Sequence, residues 1–226
     1  MNRKEEIRSA YRSLGKAHNY YDGMMTGSTF IGRTVMKAVW QMDPEDALEY
    51  QSAAFEAIPA AFKGSLLEVP VGTGVLSMPV WKSLPEARIV CLDYSEKMME
   101  TARKRAEEMD IRNITFVQGD VGALPYEDES FDAVVSLNGF HAFPDKEAAY
   151  RETYRVLKKG GTFCGCFYVE GSNLKTDRLI RAFYIRTGFF TRPFETLESL
   201  KKRLSGMYSL VQVSHVQSIA VFQCIK

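Results

Sequence analysis

The stretch "SLLEVPVGTGVLSM", Ser65–Met78, decides how the rest of the chain is read. A short apolar run ends in Gly72-Thr73-Gly74 and a second apolar stretch follows. That is the pattern of a strand passing through a tight glycine turn into a helix. Such a turn aims backbone N–H groups at a ligand. A dinucleotide fingerprint reads G-x-G-x-x-G, but the third glycine position here is Ser77, so the close helix–strand packing it provides is missing. Glu68 stands just ahead of the turn. A carboxylate there repels a pyrophosphate and suits a ligand bearing an ammonium or sulfonium group. It would equally serve to cap a nearby backbone amide. At the turn itself a nicotinamide dinucleotide and a cationic adenosine compound both remain open.

Outward from this turn, strands and helices alternate. "RIVCL" reads as the second strand and "SEKMMETARKRAEEM" as a helix opened by Ser95. "ITFVQ" and "FDAVVSL" are the third and fourth strands, "KEAAYRETYRVL" is a helix, "KKGG" a turn and "TFCGCFYV" the fifth strand. Alternation of this kind predicts a parallel sheet with helices on both faces. "SLVQVSHVQS" and "IAVFQCIK" are separated by too few residues for a parallel crossover, so they pair antiparallel. Ahead of Gly64 the pattern is helical. In "PEDALEYQSAAFEAIPAAF" Asp43 is the N-cap and Pro44 the first helical residue; "STFIGRTVMKAVWQM" is a second amphipathic segment. Between that segment and an N-terminal helix, "NYYDGMMTGS" reads as a turn-rich connection.

Open α/β sheets bind ligands at the carboxyl ends of their strands, so each strand end is a candidate site. The second strand ends in Asp93, nineteen residues after Gly74, where an acid accepts hydrogen bonds from both ribose hydroxyls of an adenosine. The third ends in Gly119-Asp120, a carboxylate in reach of an adenine amino group. The fourth leads into a loop holding Asn138 and His141.

Composition narrows the classes. The 226 residues are 46% hydrophobic and 25% charged, as in a soluble globular protein, and the net charge of +1 argues against a nucleic-acid partner. A local excess of five positive charges lies between Lys175 and Arg203. Cys91, Cys164, Cys166 and Cys224 form no CxxC and lack zinc spacing, so no metal is expected; they read as buried thiols of a cytoplasmic protein. The charged stretch "MNRKEEIRSAYRSLG" is not a signal peptide, and no apolar run is long enough for a transmembrane segment.

"LLEVPVGTG", "CLDYSEKMMETARKR" and "ITFVQGDVGALPYEDESFDAVVSLNGFHAFPDKEAAYRETYRVLKKGGTF" together resemble the class I S-adenosylmethionine-dependent methyltransferases, above all the branch that includes the ubiquinone and menaquinone C-methyltransferases. The resemblance implies a Rossmann-like seven-stranded, mostly parallel sheet with an antiparallel last strand. It implies an N-terminal helical cap over residues 1–63 and a core over 64–226, with a substrate-wall insertion near 172–196. The cofactor would be S-adenosylmethionine and the product S-adenosylhomocysteine. Gly72 and Gly74 would approach the methionine part, Glu68 would help hold its amino end, and Val69 would belong to the cofactor site. Asp93 would bind the ribose, Tyr94 and Met98 would lie against the adenosine, Gly119, Asp120 and Val121 would hold the adenine, and Asn138 would line the methionine side. Where family members usually carry a Gly or Cys pair before GTG, this chain has Pro70-Val71, and a proline has no N–H to offer.

The acceptor is a small molecule of unassigned chemistry. A base for it would come from His141 or, in the cap, from His18, Tyr20 or Tyr21. The insertion "RLIRAFYIRTGFFTRPFETL" interleaves aromatics with arginines. With Tyr184 and Arg181 at the acceptor, it would suit an apolar substrate with an anionic group, reached at a membrane surface. As an ordinary amphipathic helix it would turn its aromatics inward and its arginines to water. The competing functional readings are an NAD(P)-dependent oxidoreductase and a protein that binds the cofactor without methyl transfer.

Overall fold

The computed structural model describes residues 18–186 and 188–226, with backbone alone for residues 18–21. Strands β1 (Ser65–Glu68), β2 (Arg88–Asp93), β3 (Ile114–Gln118), β4 (Phe131–Leu137), β5 (Leu157–Tyr168), β6 (Leu210–Val216) and β7 (Ile219–Ile225) form one sheet in the order β3-β2-β1-β4-β5-β7-β6. The β3-β2-β1-β4-β5 portion is parallel; β7 runs antiparallel to both β5 and β6. The strand order reverses between β1 and β4, so the glycine turn after β1 opens onto the crevice where such sheets bind ligands.

Side-chain alternation along the strands divides the apolar residues between two faces. One core holds Leu66, Ile89, Cys91, Val135, Cys164 and Cys166; the other holds Leu67, Leu92, Val134, Phe163 and Phe167. The first is covered by α3 (Pro44–Phe55), α4 (Met78–Lys82) and α5 (Glu96–Glu108), the second by α6 (Lys146–Val156) and α8 (Leu197–Ser205). All four cysteines are free and fully buried. No helix among the described residues is long and apolar enough to cross a membrane.

Helix α3 has the cap read from sequence. The Asp43 carboxylate accepts from the amides of Glu45 and Asp46, and Asp46 answers back to the Asp43 amide. Its stripe Ala47, Tyr50 and Ala54 packs on the sheet, and Phe55 meets Trp81 edge-on at 5.6 Å. Residues 44–55 therefore form part of the helical layer over the core, although they precede residue 63. The other described segments before residue 63 include α1 (His18–Thr26), from which Met25 reaches the glycine turn, and α2 (Phe30–Val35), which continues as a π-helical turn, Met36–Trp40.

Three local readings change. The stretch taken as a turn-rich connection is helix α1, whose end comes only at Gly27, with φ +63°. "KKGG" is not a turn between elements but an irregularity within β5: Phe131 pairs with Leu157 and Ala133 with Thr162, and Gly160 takes φ +72° to absorb the extra residues. The insertion forms a shorter helix than expected, α7 (Leu174–Leu179) plus a π-helical turn over Ile180–Tyr184, followed by an irregular segment.

Candidate functional site

The turn after β1 is held from both sides. Val69 N–H donates to the Val135 carbonyl and Val71 N–H to that of Leu92, which fixes the chain between β4 and β2. Gly72 and Gly74 adopt φ +57° and +67°, a backbone that disfavours any side chain. A Cβ on Gly74 would also stand 2.8 Å from the Met78 methyl. The Asp93 carboxylate spans the turn: Oδ2 accepts from Gly72 N–H at 2.7 Å and Oδ1 from Ser95 N–H at 2.8 Å. The ends of β1 and β2 are thus tied together by one acidic side chain.

Two adjoining pockets meet at Pro70 and Asp93, which line both. One has Val69, Tyr94, Gly119, Asp120, Val121 and Phe143 in its walls. The other includes Met25, Glu68, Gly72, Gly74, Met98 and Asn138. Gly119, Asp120 and Val121, expected at the adenine, share the first pocket with Val69, whereas Glu68, Gly72, Gly74 and Asn138, expected at the methionine part, share the second. Met98, expected against the adenosine, lines the glycine-turn pocket instead, because its side chain lies under Gly72.

The charge of this cleft is one-sided. Glu68, Asp93 and Asp120 line it, and among the described residues no lysine, arginine or histidine does. Glu68 is 1% exposed, and its Oε2 accepts from the Trp81 indole N–H at 2.7 Å and the Cys91 thiol at 3.3 Å. Burial pushes its carboxyl up to about 7, against the pull of those donors. Burial likewise raises Asp93 to about 6, against the Ser95 and Gly72 amides. The Asp120 carboxylate accepts from Gly122 N–H at 2.9 Å, which orients it at the end of β3. Asn138 has φ +54°, an unusual backbone for a non-glycine residue. Its amide N–H donates to the Cys166 carbonyl, while its side-chain NH2 is buried and has no partner among the described residues. A buried donor of that kind calls for an acceptor from a ligand. The carboxylates, the glycine backbone and this donor together fit a ligand with a cationic amino-acid end and an adenosine.

Beyond the cleft lies an aromatic wall. Phe190 is in ring contact with Trp40, Tyr168, Tyr184 and Phe194, and the His141 ring stacks on it at 4.3 Å. His141, expected as a base, is placed against this wall. Its Nδ1 accepts the Tyr168 backbone N–H at 3.3 Å, which is consistent with a neutral ring protonated at Nε2. Desolvation, with a smaller push from Lys146, lowers its pKa to about 3 and favours that neutral form. Arg181, expected at the acceptor, is exposed and pairs with Glu170 at 2.8 Å. Tyr184 belongs to the wall. In the insertion the arginines are exposed and Phe190 is buried, the ordinary amphipathic outcome, with Phe183 at 63% exposure the exception. Tyr20, Tyr21 and His18 lie on α1, but their side chains fall outside the described residues. Sequence reading missed Met25 and Trp81, which reach the cleft and Glu68 from elements remote in the chain.

A family model for a methyltransferase domain matches residues 66–161. A demethylmenaquinone methyltransferase from Listeria monocytogenes serotype 4b (strain CLIP80459) is 37% identical over 172 residues, covering 69% of this chain and 72% of that protein. Another from Lactococcus lactis subsp. lactis is 39% identical over 98 residues, 43% of this chain; the match spans only 39% of that relative's length. The crystal structure of an S-adenosylmethionine-dependent methyltransferase from Thermotoga maritima superposes with a TM-score of 0.65 at 20% identity, over 96% of this chain and 99% of that one.

Proposed function

Starting from the premise that this chain belongs to the class I S-adenosylmethionine-dependent methyltransferases and methylates a small-molecule acceptor, we propose that the paired pockets are its cofactor site and the aromatic wall its acceptor site. The observation that carries this assignment is the lining by the described residues: three carboxylates, no basic side chain among them, and one buried amide donor with no partner among them. Such a lining favours a ligand with ammonium and sulfonium charges and disfavours a pyrophosphate. When bound, S-adenosylmethionine supplies an electrophilic methyl group, so the demanding chemistry belongs to the cofactor. S-adenosylhomocysteine is the product of that reading.

The chain's own part is to bind, orient and exclude water. Glu68 holds the ammonium end, Gly72 and Gly74 let the backbone come close, and Asn138 gives its side-chain NH2 to the carboxylate. Asp93 accepts from the ribose through the lone pairs its amide partners leave free, and Asp120 accepts from the adenine amino group. Holding donor and acceptor in line at short range supplies much of a transfer rate. The relatives are named for demethylmenaquinone, and a flat apolar ring of that kind suits a wall built on Trp40, Tyr184 and Phe190. His141, as an Nε2–H donor, is suited to an oxygen on that ring. Buried thiols are in keeping with a cytoplasmic protein.

Calorimetry with S-adenosylhomocysteine and NADH tests the cofactor: the first binds and the second does not. Incubation of demethylmenaquinone in detergent micelles with methyl-deuterated cofactor, followed by mass spectrometry, tests the acceptor. Incorporation of one labelled methyl is expected. An unlabelled quinone alongside a labelled metabolite from a cell extract would overturn the quinone and retain the transferase.

A further inference from the structure

Thr73, the residue between the two left-handed glycines, is 1% exposed, and its polar groups are claimed by two distant helices. Its hydroxyl donates to Asp22 Oδ1 at 2.7 Å, from α1. Its carbonyl accepts from Arg105 Nη1 at 2.6 Å, from α5. Arg105 Nη2 in turn meets Asp22 Oδ2 at 2.5 Å. The three residues close a ring that joins the covering helix, the glycine turn and the helix after β2. The ion pair is largely shielded, with 22% and 14% of the two side chains exposed, so it is stronger than a surface pair.

This ring has a directional consequence. Met25 follows Asp22 by three residues, nearly one helical turn, and lines the pocket that contains Glu68 and Asn138. Among the described residues, other ties on α1 include the Gln51 amide, which donates to the Met25 carbonyl at 3.0 Å, and the close packing of Gly23 on Gly32, where a Cβ on Gly32 would stand 1.8 Å from the Gly23 oxygen. These fix the helix to α2 and α3. Among the described residues, the ring is what ties α1 to the glycine backbone.

We propose that Asp22 and Arg105 are positioning residues that lock α1 onto the glycine turn through Thr73, so that the covering helix and the cofactor backbone move as one unit. The role in cofactor binding rests on the cofactor assignment above; the lock itself does not.

Hydrogen–deuterium exchange of the ligand-free protein tests the lock. Asp22→Asn and Thr73→Val are near-isosteric, and each should speed exchange of the amides of residues 22–26 about tenfold. The double variant Asp22→Asn/Arg105→Gln should do no more than either single change, as members of one unit do. Unchanged exchange in Asp22→Asn and Thr73→Val, or additive effects in the double variant, overturns the proposal. In turnover, Asp22→Asn should raise the KM for the cofactor about tenfold and leave kcat within about twofold. A loss confined to kcat would overturn the positioning role. Failure of the unmodified protein to bind S-adenosylhomocysteine would refute the cofactor assignment alone, because the ligand-free exchange still decides the lock.

Discussion

Glu68 is a buried carboxylate whose hydrogen-bond donors, Trp81 and Cys91, are uncharged. Its folded-state pKa of about 7 lies above the usual 4.5, so between those values the folded protein holds a proton that the unfolded chain has lost. Stability therefore falls as pH rises through that window and levels off above it, by about 3 kcal/mol at most. Glu68→Gln removes this dependence, because a glutamine oxygen still accepts from Trp81. The variant should be more stable than the native protein at pH 8 and equal near pH 4.5, as read from urea unfolding at the two pH values. The same substitution should weaken S-adenosylhomocysteine binding by tenfold or more, on the order of a lost charge-assisted hydrogen bond. In the native protein, binding should tighten between pH 5.5 and 8 and release protons, measurable by calorimetry in buffers of different ionisation heat. Glu68, Asp93 and Asp120 were legible in the sequence because each sits at a strand end, and strand ends follow from periodicity. The donors that hold them were not: Trp81 is thirteen residues from Glu68, and nothing in local spacing pairs an indole with a carboxylate.

At the level of elements, the loop after β4 is fitted to the proline ahead of the glycine turn. A Cβ on Gly139 would stand 2.4 Å from Pro70 Cδ and 2.6 Å from the Phe143 ring. Gly139→Ala should therefore destabilise the fold by about 1–3 kcal/mol through overpacking. Pro70→Ala in the same chain should recover part of that loss; a denaturant midpoint that stays down in the double variant would locate the clash at Phe143 alone. Strands and long helices were readable because their apolar periods span several residues, and β4 coincides with "FDAVVSL". Helix α1 was not, since Tyr, Asp, Gly and Met in "NYYDGMMT" have no clear stripe. Its helical state depends on tertiary ties, Asp22 to Arg105 and Gly23 against Gly32, that no local signal reports. The register irregularity in β5 was hidden for a similar reason: "KKGG" is turn chemistry, and only the partner strand decides whether a turn or a bulge results.

For the whole molecule, a ligand that bridges the ends of β1, β2 and β3 should stabilise the fold as a unit. S-adenosylhomocysteine at one hundred times its Kd should add about 2.7 kcal/mol, and the melting temperature should rise by about 5 °C or more. NADH at the same concentration should leave it unchanged in a fluorescence melt, as the acidic lining requires. The parallel body of the sheet and its antiparallel end were legible as a plan, since alternation, glycine turn and terminal hairpin each restrict the topology. What lay beyond sequence was the side on which each covering segment settles, as with α3, which joins the helical layer beside Trp81. The four buried thiols bear on how such motions can be watched. With Cys166 and Cys224 pushed up to about 12 by burial, and Cys91 and Cys164 raised as well, none offers a thiolate at neutral pH. A single cysteine placed at Phe30, which is 79% exposed, would be the sole site to react with a maleimide dye or nitroxide. The native chain can thus carry a spectroscopic reporter at the start of α2 with no thiol removed from its interior.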